Sequence, residues 1–400
     1  MKSQYMPVLL LLVAVACGGD SAADEAAVEA AAERQAAATA YASGSDRLSA
    51  EELEAGRMQM SWREFVDRDT SNSSSSRSRT RGSTGNNESW DDITMESVNG
   101  GPIALPVGGD VEGPSVLRVQ VLLDRAVFSP GVMDGRWGSN TEKAVYWLQK
   151  REGLPATGEV DEQTWQRLQQ LATGTQELVT ARSLTQDDVA GPFVTLPAEY
   201  YDRRDMDCQC YESLGEKLAE RFHTTEDLLE KLNPNVDLNS LSAGQTLNVP
   251  AVSNRRAPAN ATVAKLVVSD GGGYLHALDA SGNIVYHFPA TLGADYSPSP
   301  SETLRITNIA QDPTWHYQPD ILEGVDDDLP DAVLPAGPNN AVGVVWMQLS
   351  KEHYGIHGTS APETIGYATS NGCIRLTNWD AGFLSQRIEP GVTVEFRDVR

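Results

Sequence analysis

Four hundred residues exceed what a single hydrophobic core supports, so two to four folded units are expected. The formal charge of −25 argues against a nucleic-acid partner, whose phosphates would be repelled rather than neutralised. Charge alone selects no other ligand.

At the N-terminus, "MKSQYMPVLLLLVAVACGGDS" carries one early positive charge, an apolar run from Pro7 to Ala16, and then Cys17. The run is too short to span a bilayer as a mature helix and reads as an export signal over residues 1–16. Ala14-Val15-Ala16-Cys17 resembles the lipobox of bacterial lipoproteins, which implies a lipid on Cys17 and anchorage to a membrane; a plain cleaved signal is the alternative. Either way the chain is expected outside the cytoplasm, in the periplasm or cell envelope. Thiols there tend to pair. Beyond Cys17 stand Cys208, Cys210 and Cys373, and an odd cysteine points to one free, reactive thiol. Cys208 and Cys210, in "DCQCY", are too close for an unstrained bridge if the backbone between them is extended. Two cysteines without a matching pair do not make a zinc site, and no metal or cofactor is expected.

Residues 17–114 read as a tether, an Ala/Glu-rich stalk followed by "SNSSSSRSRTRGSTGNN", which cannot bury a core. Residues 115–171 change character. "SVLRVQVLLDRAVF" has helical spacing, Ser139 with Glu142 gives a capping-box pattern, and Asp161 is placed to cap a third helix. This three-helix unit, with "DGxxGxxT" at Asp134, Gly135, Gly138 and Thr141, resembles the peptidoglycan-binding domain of wall enzymes. A generic three-helix bundle accounts for Trp147 and Trp165 equally well. Residues 199–250 predict two helices, the first capped by Ser213, then a closing strand at "GQTLNVP". That order is similar to LysM, a small α+β module that grips N-acetylglucosamine polymers, although "DMDCQCY" obscures the opening strand. From 262 to 400 short β-branched and aromatic runs alternate with Gly, Asn, Asp and Pro clusters, predicting a mostly antiparallel β-sandwich with one helix near "NWDAGFLSQRI".

Chemistry concentrates in "YGIHGTSAPETIGYATSNGCIRL". Gly372 before Cys373 permits a tight turn that brings main-chain N–H groups toward a reacting carbonyl. His357 is the candidate base, with a neighbouring carbonyl such as that of Gly358 fixing its tautomer through Nδ1–H. Arg375 shares the side of Cys373 in an extended segment and suits a substrate carboxylate. His353 is a rival base; on an extended strand it would lie about 13 Å from His357. A buried, inert thiol is the competing reading of Cys373.

"IHGT" followed by "SNGCIRL" and Asp380 resembles the active-site string of the YkuD-type L,D-transpeptidase catalytic domain. "ITNIAQDPTWHYQPD", "LPAGPNNAVG", "WMQLS" and "PGVTVEF" resemble further stretches of that family. The resemblance implies that Cys373 is the acylated nucleophile and His357 its base. Gly358 orients the base, Ser370 supports the turn, Gly372 with Cys373 supplies oxyanion donors, and Arg375 and Asn371 meet substrate. Asn371 stands where the family usually has histidine, and Glu302 and Leu304 where it commonly has glycine and phenylalanine. The implied reaction attacks the third residue of a peptidoglycan tetrapeptide stem, releases D-alanine and forms a cross-link without a cofactor. Partners would be stem peptides and glycan strands. The alternatives are an L,D-carboxypeptidase or hydrolase using the same cysteine, and a non-catalytic lipid-anchored wall-binding protein.

Overall fold

The computed structural model describes residues 88–171, 177–252, 262–294, 297–322 and 329–397. The export signal, Cys17 and the tether as far as residue 87 lie outside them. Residues 88–113, expected within the linker, are folded: helix α1 (Met95–Gly100) is capped by Thr94, and Ile93, Val98 and Val107 are fully buried. Three apolar side chains among polar ones suffice to pin a short segment onto a neighbouring helix.

Helices α2 (Pro114–Arg125), α3 (Ser139–Glu152) and α4 (Glu162–Leu171) follow one another in the next stretch. Asp161 caps α4 by accepting from the Thr164 N–H at 2.8 Å. The capping box at Ser139 is not made: α3 begins one residue earlier, with Gly138 as the N-cap, so Ser139 is already helical. Gly135, at φ +74°, makes the turn that Gln120 ties down through its amide.

The LysM-like unit has its opening strand upstream of the expected boundary of 199. β1 (Val179–Ser183) pairs antiparallel with β2 (Thr246–Pro250) around α5 (Leu214–Arg221) and α6 (Glu226–Leu232). Ser213 caps α5 by accepting from the Glu216 N–H at 2.9 Å. Cys208 and Cys210 are disulfide-bonded, with Cα atoms 5.3 Å apart. The backbone between them is therefore not extended, which would separate the Cα atoms by about 7 Å. One continuous apolar cluster runs from Ile93 to Val252, so the two small units share a core instead of hanging as separate beads.

From residue 262 the chain builds one curled, mixed sheet. Its strands are β3 (Lys265–Ser269), β4 (Tyr274–Leu278), β5 (Ile284–Pro289), β7 (Leu304–Gln311), β10 (Val345–Leu349), β11 (Gly355–His357), β13 (Ile374–Arg375) and β14 (Thr393–Arg397). Their order is β13-β11-β10-β7-β14-β3-β4-β5. Two further ribbons pair β6 (Leu292–Gly293) with β12 (Thr369–Ser370), and β8 (Trp315–Tyr317) with β9 (Ala332–Leu334). Most neighbours are antiparallel, but β14–β3, β11–β13 and β12–β6 are parallel. Two residue pairs alone join β7 to β14, and the two four-stranded halves bury Leu266, Leu275, Ile306, Met347 and Ile356 in one core. Helix α7 (Asn378–Ser385) fills the predicted helical stretch, capped by Thr377.

The three-helix unit docks on the sheet. The Ser129 N–H donates to the His287 carbonyl at 2.9 Å, and the Asn140 amide donates to the Ile365 carbonyl at 2.7 Å. His276 and His287 are buried there, ring nitrogens 2.9 Å apart, a packing role. Trp315 and Tyr317 pack on Tyr200 and Tyr201, and the Asn340 amide closes a turn against the Pro335 carbonyl.

Candidate active site

Register places the chemistry. Val345, Met347 and Leu349 of β10 point into the core, so Trp346 and Gln348 face outward. Trp346 pairs with His357 on β11, and β11 runs parallel to β13 with His357 opposite Arg375. Because alternate residues share a face, Gly355, His357, Cys373 and Arg375 lie together on the side away from the core. In this register Cys373 falls beside Gly355, and His357 stands diagonally from it, within reach of a long side chain.

His357 is 4% exposed, and its Nδ1–H donates to the Gly358 carbonyl at 2.7 Å. This is the tautomer that leaves Nε2 as the acceptor. Burial, and then the Arg375 charge beside it, hold the imidazole down at about 3, partly opposed by the Gly358 bond. It is a neutral base at neutral pH. Trp346 stacks on the ring, centroids 5.4 Å apart and planes 25° from parallel. A Cβ at Gly355 would come within 2.5 Å of Trp346, so the glycine clears the space that the indole occupies.

Cys373 is half-buried and is the free cysteine among the described residues. Its thiol lies 3.5 Å from the His353 carbonyl. Burial pushes its pKa up, while the Gly355 backbone and Arg375 pull it down. The resting pair is thus thiol and neutral imidazole, not the standing sulfur anion that a strongly activated cysteine would present.

The turn holding the sulfur is closed by a side-chain bond. The Ser370 hydroxyl donates to the Cys373 carbonyl at 2.6 Å, closing the loop across Asn371 and Gly372. Gly372 has φ +94°, and a Cβ there would meet Tyr354 at 2.8 Å, so both conformation and space call for glycine. Thr291 brackets Arg375 through two main-chain bonds of 2.9 and 3.0 Å. Asn371 is half-exposed at the bend. His353 is not on an extended strand: it has φ +64°, and its side chain is 46% exposed beside Glu352. Its carbonyl, not its ring, touches the sulfur, which overturns the strand geometry assumed for the rival base.

Trp346 and Tyr354 were missed as site residues. Trp346 had a signal, an aromatic on the outward phase of a strand whose inward phase is fully apolar; Tyr354 had none that spacing could show.

Comparison with known proteins defines the class of this chain. The sequence profile of the L,D-transpeptidase catalytic domain (YkuD) matches residues 264–396, that of a peptidoglycan binding domain residues 112–168, and that of the LysM domain residues 216–250. The chain belongs to the L,D-transpeptidase family. A Bacillus licheniformis protein named as an L,D-transpeptidase, YkuD, is 31% identical over 179 residues, 45% of this chain and 90% of that protein. The corresponding Bacillus subtilis protein is 27% identical over 177 residues, 44% of this chain and 89% of its own length. An Escherichia coli relative, YbiS, is 30% identical over 42% of this chain and 54% of its own length.

Proposed function

We propose that the protein is a cysteine acyltransferase of the bacterial cell wall, acting on peptidoglycan stem peptides. The observation that carries the reading is the His357 Nδ1–Gly358 bond, which leaves Nε2 unprotonated on a ring whose residue shares its sheet face with Cys373. As the carbonyl of the third stem residue approaches, the thiol proton passes to Nε2 and sulfur bonds to carbon. Negative charge then develops on the carbonyl oxygen, and the N–H groups of Gly372 and Cys373, on the tight turn, are the proposed oxyanion donors. Collapse breaks the peptide bond, the imidazolium returns its proton to the departing amine, and D-alanine leaves. An amine of a neighbouring stem then attacks the thioester and regenerates the thiol. Arg375 meets the donor's carboxylate, and Asn371 can hydrogen-bond but not titrate.

The three-helix and LysM-like units hold the enzyme on its polymer. A concavity of about 360 Å³ lined by Asn235, Asp237, Ser240, Gln245 and Thr246 offers polar groups for a sugar. Among the described residues no helix is long and apolar enough to cross a membrane. Export with a lipid on Cys17 remains the proposed route to the envelope.

The test is mass spectrometry of the full chain incubated with disaccharide-tetrapeptide. A mass gain on Cys373 with loss of D-alanine is expected, followed by cross-linked dimer. Cys373→Ala should abolish adduct and dimer together while retaining fold. Tripeptide product without dimer would assign a carboxypeptidase instead, and dimer formed by Cys373→Ala would overturn the reading.

A further inference from the structure

The loop that follows the base is held from outside the catalytic sheet. Gly358, whose carbonyl fixes the His357 tautomer, packs against the Asn378 side chain so tightly that a Cβ there would lie 2.1 Å from the Asn378 Oδ1. That same oxygen accepts from the N–H groups of Thr359 and Val344, each at 3.1 Å. The amide thus ties the turn after His357 to the segment that leads into β10. The other end of the amide donates to the Glu220 Oε2 at 3.0 Å and to the Pro338 carbonyl at 3.2 Å. Glu220 belongs to α5, in the LysM-like unit, and its Oε1 accepts from the Tyr211 hydroxyl at 2.8 Å.

The docking around this link is tight. The Gln209 N–H donates to the Ala336 carbonyl, the Asn339 N–H donates to the Gln209 carbonyl, and the Asn339 amide reaches both the Cys210 carbonyl and Glu216. A Cβ at Gly337 would strike the Gln209 carbonyl at 2.2 Å. The bridged Cys208–Cys210 turn therefore sits against the loop 335–340, beside Tyr211. Glu220 and the Pro338 carbonyl on one side and the Thr359 and Val344 N–H groups on the other together set which way Asn378 points, because a flipped amide would place its N–H₂ against two N–H donors.

We propose that Glu220 is a positioning residue for the transfer reaction: through Asn378 it fixes the Gly358–Thr359 loop and so the productive orientation of His357. The LysM-like unit is then part of the catalytic apparatus as well as a polymer grip. This inference rests on the reading of Cys373 and His357 as nucleophile and base.

The experiment compares the full chain with Glu220→Ala and Glu220→Gln. Acylation by disaccharide-tetrapeptide, melting temperature and the ¹⁵N imidazole resonances of His357 are read for each. Glu220→Ala should lower kcat for acylation about tenfold, change KM less than twofold and shift or broaden the His357 resonances. Glu220→Gln, whose oxygen can still accept from Asn378, should restore kcat to within about threefold. Wild-type kcat and unmoved His357 resonances in Glu220→Ala would overturn the proposal. So would a kcat loss that vanishes when corrected for the folded fraction, or one that glutamine fails to rescue. Should Glu220→Ala not fold, Tyr211→Phe and Asn378→Asp test the same link from its two ends. Failure of the wild-type chain to acylate would defeat the reading of the site instead, and the His357 resonances would still decide the link.

Discussion

Two buried histidine sites in this molecule share their electrostatics and differ in what the ring nitrogens meet. His357 and His276 are both pushed down to about 3, first by burial and then by an arginine, Arg375 in one case and Arg397 in the other. Each has a tryptophan against it, Trp346 at 5.4 Å and Trp147 at 4.7 Å. His276 spends Nε2 on His287, in an interface closed by α3. His357 spends Nδ1 on a carbonyl, leaving Nε2 on a face shared with a thiol and a guanidinium. A lowered pKa therefore reports burial. What separates a candidate base from a packed ring is the free nitrogen and the nucleophile beside it.

The sharpest way to break this comparison is to remove each ring. His357→Gln should slow Cys373 acylation about a thousandfold, as expected for loss of a general base, with the melting temperature little changed. His276→Gln should do the reverse, leaving the acylation rate per folded molecule within twofold. Equal effects on rate, read by single-turnover mass spectrometry, would erase the distinction. The tryptophans sharpen it further. Trp346→Leu should cost about tenfold in acylation through a loosened imidazole. Trp147→Leu should instead cost about 2 kcal/mol of stability, read by urea unfolding, because its ring fills the docking interface.

Much of the site was legible because it is written in two short strings. A glycine with a left-handed φ, a serine three residues before the carbonyl it holds, and a histidine followed by its own orienting carbonyl are all local relations. The fold around it was legible only in pieces. Strand runs and helix caps at Asp161 and Ser213 follow from periodicity and side-chain chemistry. The shared core of the two small units, the Ser129–Asp380 bond across 251 positions and the Asn378–Glu220 bond across 158 do not. Neither partner in such a pair alters the pattern of its own segment. The Cys208–Cys210 bridge was not legible for a related reason: whether two near cysteines can meet depends on the backbone between them, and that backbone is held by the docking loop at 335–340.

Acid offers a gentler probe of the same pair. In both imidazoles the folded pKa, about 3, lies below an unfolded value of about 6.5, so the unfolded chain takes up the proton first. Stability from these groups is whole above pH 6.5 and is lost as the pH falls toward 3; by pH 5 each should have removed about 2 kcal/mol. His276→Asn should start lower at pH 7 yet lose less on going to pH 5, measured by urea titration at each pH. A slope identical to wild type would mean that His276 takes up its proton as readily in the folded chain as in the unfolded one.

The smallest expected effect tests the comparison from the side of the exposed ring. His353 lies 20 positions before Cys373, near enough to be a rival base, yet only its main-chain carbonyl reaches the sulfur, at 3.5 Å. Its imidazole stands 46% exposed in a left-handed turn, a conformation that asparagine tolerates nearly as well. His353→Asn keeps the carbonyl, the turn and a polar side chain, and removes the only feature a rival base would need. Acylation should stay within about twofold and stability within about 0.5 kcal/mol, as for an exposed substitution. A loss of a hundredfold would transfer the role of base from the buried ring to the exposed one, and the hydrogen bond from His357 to Gly358 would then have to be explained as packing alone.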